Sequence, residues 1–128
     1  MKLLLDTHAL LWWFFDDPRL SVRARTAIAD TANEVLVSAA SAWEIAVKFH
    51  LGKLPECSEA VERFEELVAT DGFTPLAITA RHALRAGAYP TAHRDPFDRM
   101  LAAQSELEAA TLVTLDPALA AFPCARFW

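Results

Sequence analysis

Four acids in this sequence, Asp6, Glu44, Asp98 and Asp116, stand where solvation is a thin explanation for a charge. Asp6 closes the apolar run Leu3-Leu4-Leu5, and Asp116 closes Leu112-Val113-Thr114-Leu115. Glu44 lies inside SAWEIAVKF, among Trp43, Ile45, Ala46, Val47 and Phe49, and Asp98 belongs to HRDPFDRMLAAQ, which turns from charged to apolar midway. Each acid also has an ordinary use. Asp6, Asp95 and Asp116 fall where a helix start needs an N-cap, and Pro96 and Pro117 suit the first helical position. Asp98, on the third helical position, gains from the helix dipole. Glu44 and Lys48 have the spacing of an i,i+4 ion pair worth about 0.2–0.5 kcal/mol. Yet a charge on so apolar a helix needs a partner or a metal. Clustered carboxylates repel one another, and a hard divalent cation removes that repulsion. Mg²⁺ takes oxygen ligands, keeps several waters and commonly sits between carboxylates and a substrate phosphate. Such a site can activate water and stabilise charge at a phosphodiester.

For the acids to meet, the chain must bring distant segments to one edge. The sequence reads as strands alternating with helices: strand Lys2–Leu5, helix Ala9–Phe15, a turn at Asp16-Asp17-Pro18, and a Ser21-capped helix to about Thr31. Strand Glu34–Val37 ends at Ser38, and helix Ala40–Leu51 stops at Gly52, a residue suited to the position after a helix. One helix, Glu59–Thr70, is expected next, then strand Phe73–Ile78, a Thr79-capped helix to about Gly87, and a loop to Arg94. Helix Pro96–Leu107, strand Thr111–Leu115, a helix start at Asp116-Pro117 and a short strand at Arg126–Trp128 complete the pattern. Such alternation predicts an α/β fold, a parallel sheet flanked by helices on both faces, as one domain over residues 1–128. Ligands of such sheets bind outside the carboxyl ends of the strands. Asp6 and Asp116 converge there if their strands are neighbours.

Composition narrows the function classes. With 128 residues, 54% of them hydrophobic, and only 3 glycines, the chain can bury a core and has little scope for disorder. No apolar run approaches the ~20 residues of a membrane span, and Asp6 interrupts the N-terminal run before a signal-peptide core forms. Cys57 and Cys124 lack the spacing of a metal site or a disulfide framework. A cytoplasmic protein is expected. The net charge of −5 argues against general electrostatic binding to nucleic acid, though a metal in an acidic pocket reverses the local sign.

Four segments, LLLDTHALLWW, VSAASAWEIAVKFHLGKL, HRDPFDRMLAAQ and LVTLDPAL, together resemble the PIN-domain ribonucleases, and among them the VapC toxins of bacterial toxin–antitoxin pairs. The resemblance runs over nearly the whole chain with the segments in order. It implies that Asp6, Glu44, Asp98 and Asp116 are the acidic quartet, binding Mg²⁺ or Mn²⁺ and cleaving RNA with a metal-activated water. It implies that Thr7, Ser38 and Thr114 are hydroxyl positions that help hold the acids or that water. Asp95 falls in the same motif and is kept as a cap and supporting residue. A homodimer and a neutralising VapB-like antitoxin are implied as partners.

Other residues carry weaker signals. His8 and His93 flank site acids and are candidates for an accessory role, whereas His50 and His82 read as ordinary helix residues. Trp12 and Trp13 cannot both face inward, so one is expected at a dimer or antitoxin contact. The basic candidates for an RNA-facing rim are Lys48, Lys53, Arg81, Arg85, Arg94 and Arg99, with Arg94 and Arg99 favoured for phosphate contact by their place beside Asp98. Two rivals with an aspartate after the first strand, a phosphate enzyme and a signalling module, fare badly. A haloacid-dehalogenase-type site would want an acid where His8 stands, and a receiver-like site a late lysine, yet none follows Lys53. A third rival is a catalytically inactive RNA- or protein-binding module that retains its acids for folding.

Overall fold

The computed structural model describes residues 1–128. Strand β1 (Lys2–Leu5) explains its own sequence: it lies at the centre of a sheet covered on both faces. Leu3 and Leu5 point into one apolar cluster, with Val35, Val37 and Val113; Leu4 points into the other, with Leu36 and Leu112. That alternation is why the strand reads as an unbroken apolar run rather than as apolar–polar alternation.

The chain leaves β1 into α1 (Thr7–Phe14) and α2 (Val22–Ala29), returns as β2 (Glu34–Ser38), and continues through α3 (Ala39–His50). After a 3₁₀ turn at Pro55–Cys57 come α4 (Ser58–Glu62), α5 (Phe64–Thr70) and β3 (Thr74–Leu76). Helices α6 (Ala80–Ala88) and α7 (Pro96–Leu107), β4 (Thr111–Val113), a 3₁₀ turn at Pro117–Ala121 and β5 (Arg126–Phe127) follow. All strand pairs are parallel, in the order β3-β2-β1-β4-β5. Leu10, Ala24, Ala60 and Val68 cover one face, and Ala86 and Leu101 the other, so helices flank both sides as the alternation predicts. The strand order reverses between β1 and β4, which pair through Leu3–Thr111, Leu4–Leu112 and Leu5–Val113. A reversal of this kind opens a crevice at the carboxyl edge.

Several elements differ from expectation. The helix expected over Glu59–Thr70 is two helices, broken where Arg63 leaves helical geometry (φ −119°, ψ 26°). The Arg63 guanidinium bonds Glu59 behind the break and Glu66 beyond it, so side-chain ion pairs bridge what the backbone interrupts. The third strand keeps only Thr74–Leu76, at the sheet edge, where Pro75 is tolerated because its missing N–H faces no partner strand. Strand β4 stops at Val113 rather than Leu115, and the turn after Asp116 is 3₁₀ rather than α. His82 is no ordinary helix residue: it is buried, its Nδ1 accepts from the Thr79 backbone N–H, and its Nε2 faces Glu108 at 3.0 Å.

Four helices end alike. Beyond α1, α3, α5 and α7, the backbone N–H groups of the two residues after the C-cap turn back onto the last turn: Asp16 and Asp17, Gly52 and Lys53, Gly72 and Phe73, Ala109 and Ala110. The first residue of each pair has positive φ, between 51° and 74°, the left-handed position of a Schellman ending. No helix is long and apolar enough to cross a membrane.

Candidate active site at the carboxyl edge

Each acid is delivered by a different element. Asp6 follows β1 and caps α1, its Oδ1 accepting from the Ala9 N–H at 2.7 Å. Asp116 follows β4, the strand beside β1, and its Oδ1 accepts from the Ala118 N–H at 2.9 Å. Glu44 comes from the second turn of α3 and Asp98 from the first turn of α7. Asp6, Glu44, Asp98 and Asp116, with Thr7, His8, Lys48 and Asp95, line one cavity of about 90 Å³ that has no hydrophobic residue in its wall. The capping roles are therefore real and compatible with a site: a carboxylate has two oxygens, and a cap uses one.

Glu44 is 5% exposed, and both of its oxygens are engaged. Oε1 accepts from the Thr7 hydroxyl at 2.6 Å and Oε2 from Lys48 Nζ at 2.5 Å. The ion pair expected from the i,i+4 spacing thus exists, but at the wall of the cavity instead of on the outer surface. Ser41, one turn earlier on α3, lies 3.1 Å from the same Thr7 hydroxyl; the Ser41–Glu44 spacing of three was the unused signal for it. Asp98 Oδ2 is 2.9 Å from His93 Nε2, so His93, one of the two accessory candidates, directly holds a site acid. Asp95 Oδ1 accepts from the Phe97 and Asp98 N–H groups, which makes it the cap of α7 as well as a wall of the cavity. Thr114 is buried beside Asp6, and its hydroxyl accepts from the Asp116 N–H at 3.0 Å.

Two expectations fail. Ser38 Oγ caps α3 at Ala40 and donates to Gln104 Oε1, which ties β2 to α7 and keeps the Ser38 hydroxyl out of the cavity. Arg99 does not present its guanidinium to a ligand. It donates to the backbone carbonyls of Ala86, Gly87, Tyr89, Thr91 and His93, fastening the loop that precedes α7. Arg94 stays exposed on that loop. The one lysine or arginine lining the cavity is Lys48.

The electrostatics are those of charge gathered against its inclination. Burial pushes the Asp6 carboxyl up to about 6, more than the bonds from Thr114 and Ala9 and the nearby His8 lower it, with Asp98 adding repulsion. Asp98 is also raised, first by burial, against the His93 bond, and further by Asp95, Glu44 and Asp116. A cation in the cavity would relieve both. The donor set is hard oxygen, which suits Mg²⁺ or Mn²⁺ and not a soft ion. No three of the groups are near enough to one another to grip an ion together. An ion here would therefore rest on one or two carboxylates and need waters or a substrate to complete its shell.

Fold and cavity define a class: α/β proteins that collect acids at the topological switch of a parallel sheet. The chain belongs to the PIN-domain family, whose profile matches residues 3–123. Among characterised relatives, Ribonuclease VapC16 of Mycobacterium tuberculosis is 37% identical over 81 residues, 60% of this chain and only 52% of that protein's length. Ribonuclease VapC22 of the same organism is 31% identical over 116 residues, covering 88% of this chain and 85% of the relative. The fold matches that of VapBC2 from Rickettsia felis, solved bound to a promoter DNA fragment, with TM-score 0.73 and 16% identity over 100% of this chain and 99% of that one. A FitAcB structure from Neisseria gonorrhoeae matches with TM-score 0.62 and 19% identity, covering 98% and 96% of the two chains.

Proposed function

We propose that this protein is a divalent-metal-dependent endoribonuclease, the toxin of a toxin–antitoxin pair. The observation that carries the reading is the meeting of Asp6, Glu44, Asp98 and Asp116, from four separate elements, around one small polar cavity. Its support from relatives is their naming as ribonucleases and, for the solved folds, as two-component complexes.

Asp6, Glu44, Asp98 and Asp116 would hold Mg²⁺ or Mn²⁺ in the cavity, and the ion would supply a more acidic water and offset charge on the scissile phosphate. Asp6 and Asp98 are the acids with most to gain from it, since both resist ionisation where they stand. Thr7 fixes the rotamer of Glu44, and Lys48 balances its charge, so that Glu44 keeps its position before a ligand arrives. His93 holds Asp98 from the loop side. Lys48, in the cavity wall, is also the cation that would meet the phosphate, with Arg94 exposed on the loop before α7, while Arg99 keeps that loop in shape. The single domain over residues 1–128, a cytoplasmic setting, a homodimer and a VapB-like antitoxin belong to the same proposal.

A binding module that kept its acids for folding is disfavoured by the same electrostatics. Burying Asp6 where its carboxyl is raised to about 6 costs stability near neutral pH, which is a poor reason to keep an acid. The deciding experiment is RNA cleavage by the purified protein in Mg²⁺ or Mn²⁺ against EDTA, with Asp98→Asn as control. Cleavage that requires the ion and disappears in the variant is expected. Equal cutting by the variant would remove Asp98 from the site, metal-independent cleavage would remove the ion from the mechanism, and absent cleavage would favour the module.

A further inference from the structure

A second pocket, of about 350 Å³, opens off the acid cavity and shares Asp6, His8 and Asp116 with it. Its remaining walls are Trp12, Arg19, Leu115 and Pro117. Given the nuclease reading, on which this inference rests, we propose that the pocket receives the unpaired base of the nucleotide adjoining the scissile phosphate.

The walls favour a flat, uncharged group. Trp12 is half buried and fixed on two sides, by His8 (ring centroids 5.6 Å apart) and by the edge of Trp128 (5.7 Å, 70°). It is a rigid platform, and base–aromatic stacking needs little else. The Arg19 guanidinium lies 5.0 Å from the Trp12 ring centroid. Asp17 holds it there, accepting from Nε and Nη2, which leaves Nη1 without a partner in the chain. The guanidinium lies over part of the Trp12 ring, and its free N–H suits an acceptor on the edge of a base stacked beside it. Across the pocket, Leu115 is 54% exposed at the end of the β4 segment, and Pro117 stands beside it. An exposed leucine in the same pocket wall as Trp12 offers a ring a second apolar contact.

Charge excludes the other parts of RNA. A second phosphate in this pocket would face Asp6 and Asp116, while Arg19 is already balanced by Asp17. The volume suits a single small ligand group and not a duplex. A base is also attached to its phosphate, which fits a pocket sharing three residues with the acid cavity. Single-stranded or looped RNA can turn a base out to reach such a platform.

The test uses the full chain in EDTA, where no metal-dependent cutting occurs. Fluorescence anisotropy compares a short labelled oligoadenylate with a ribose-phosphate strand of equal length that lacks bases. Wild type is expected to prefer the strand with bases by about tenfold. Trp12→Leu and Leu115→Ser should abolish that preference without altering affinity for the base-free strand, and Trp12→Phe should restore most of it. Leu115→Ser lies outside the core and covers the case in which Trp12→Leu unfolds, which circular dichroism would reveal. Equal binding of the two strands by wild type overturns the proposal. So does an undiminished preference in Leu115→Ser and folded Trp12→Leu, as expected if the pocket serves a protein segment instead. Metal-dependent cleavage without base preference would sink the pocket alone; base preference without cleavage would sink the nuclease reading, and with it the scissile phosphate, leaving only a base-binding pocket.

Discussion

At the scale of single residues, the site is maintained at a cost to the fold. The Asp6 carboxyl has an ordinary value of 3.8 and is raised to about 6 by burial. The folded chain therefore holds a proton there more readily than the unfolded chain does. Its contribution is favourable at low pH, is lost as pH rises from about 4 to 6, and is fully lost above that. In EDTA at pH 7, Asp6→Asn should be more stable than wild type by on the order of 2 kcal/mol. The gap should close as the pH approaches 4, and urea unfolding followed at several pH values checks it. Asparagine keeps an oxygen for the Ala9 cap, so most of the difference reports the charge. Added Mg²⁺ should stabilise wild type and leave Asp6→Asn nearly unmoved; equal stabilisation of both would take Asp6 out of the ion's reach. Arg94 and Arg99, neighbours in sequence terms, should separate just as cleanly. Arg94→Ala is expected to weaken RNA binding and reduce its salt dependence, whereas Arg99→Met should loosen the loop before α7. Cleavage would then fall in Arg99→Met with affinity little changed, and amide exchange over residues 89–95 would quicken. Affinity falling equally in the two variants would restore Arg99 to the RNA surface.

At the scale of elements, helix endings show what local chemistry does and does not decide. Gly52 and Gly72 occupy left-handed endings at no steric cost, and Asp16 tolerates one, but Ala109 (φ 52°) does not suit its position after α7. Ala109→Gly should raise stability by about 0.5–1 kcal/mol with cleavage unchanged, measured by denaturant midpoint; a loss would mean that the Ala109 methyl packs usefully. Gly52 was legible in the sequence because glycine advertises a helix end, and Ala109 was not because alanine advertises a helix. The same rule sorts the rest. Strands β1, β2 and β4 were legible from short apolar runs, and the caps Asp6, Ser21, Thr79 and Asp95 from their types. The break at Arg63 was hidden because no glycine or proline marks it. The four acids were legible as candidates, but their meeting was not, since it depends on β1 lying beside β4. Ser38 and Arg99 misled for one reason: sequence proximity to an acid does not tell which way a side chain turns.

At the scale of the whole molecule, one apolar surface stands out. Trp12 and Trp13, expected to split between core and contact, are both half buried and packed on the core. The exposed tryptophan is Trp43, at 56%, its ring against Phe97, with Val47 further along α3 and Leu51 at its C-cap also exposed. The expected homodimer has its best candidate face here, next to the helix that carries Glu44. Trp43→Ser should shift the protein toward monomer at micromolar concentration in light scattering, with the fold intact by circular dichroism; an unchanged mass would place the dimer elsewhere or deny it. The order in which the acids occur along the chain has a consequence of its own. Asp6 is near the start, Asp116 follows β4, and the two meet only because the late strand pairs with the first. During synthesis, a nascent chain that has already made Asp6, Glu44 and Asp98 still lacks the neighbour of β1 and the fourth acid. The centre cannot close until that strand has left the ribosome and docked, so whatever chemistry the four acids perform waits on the pairing of β1 with β4.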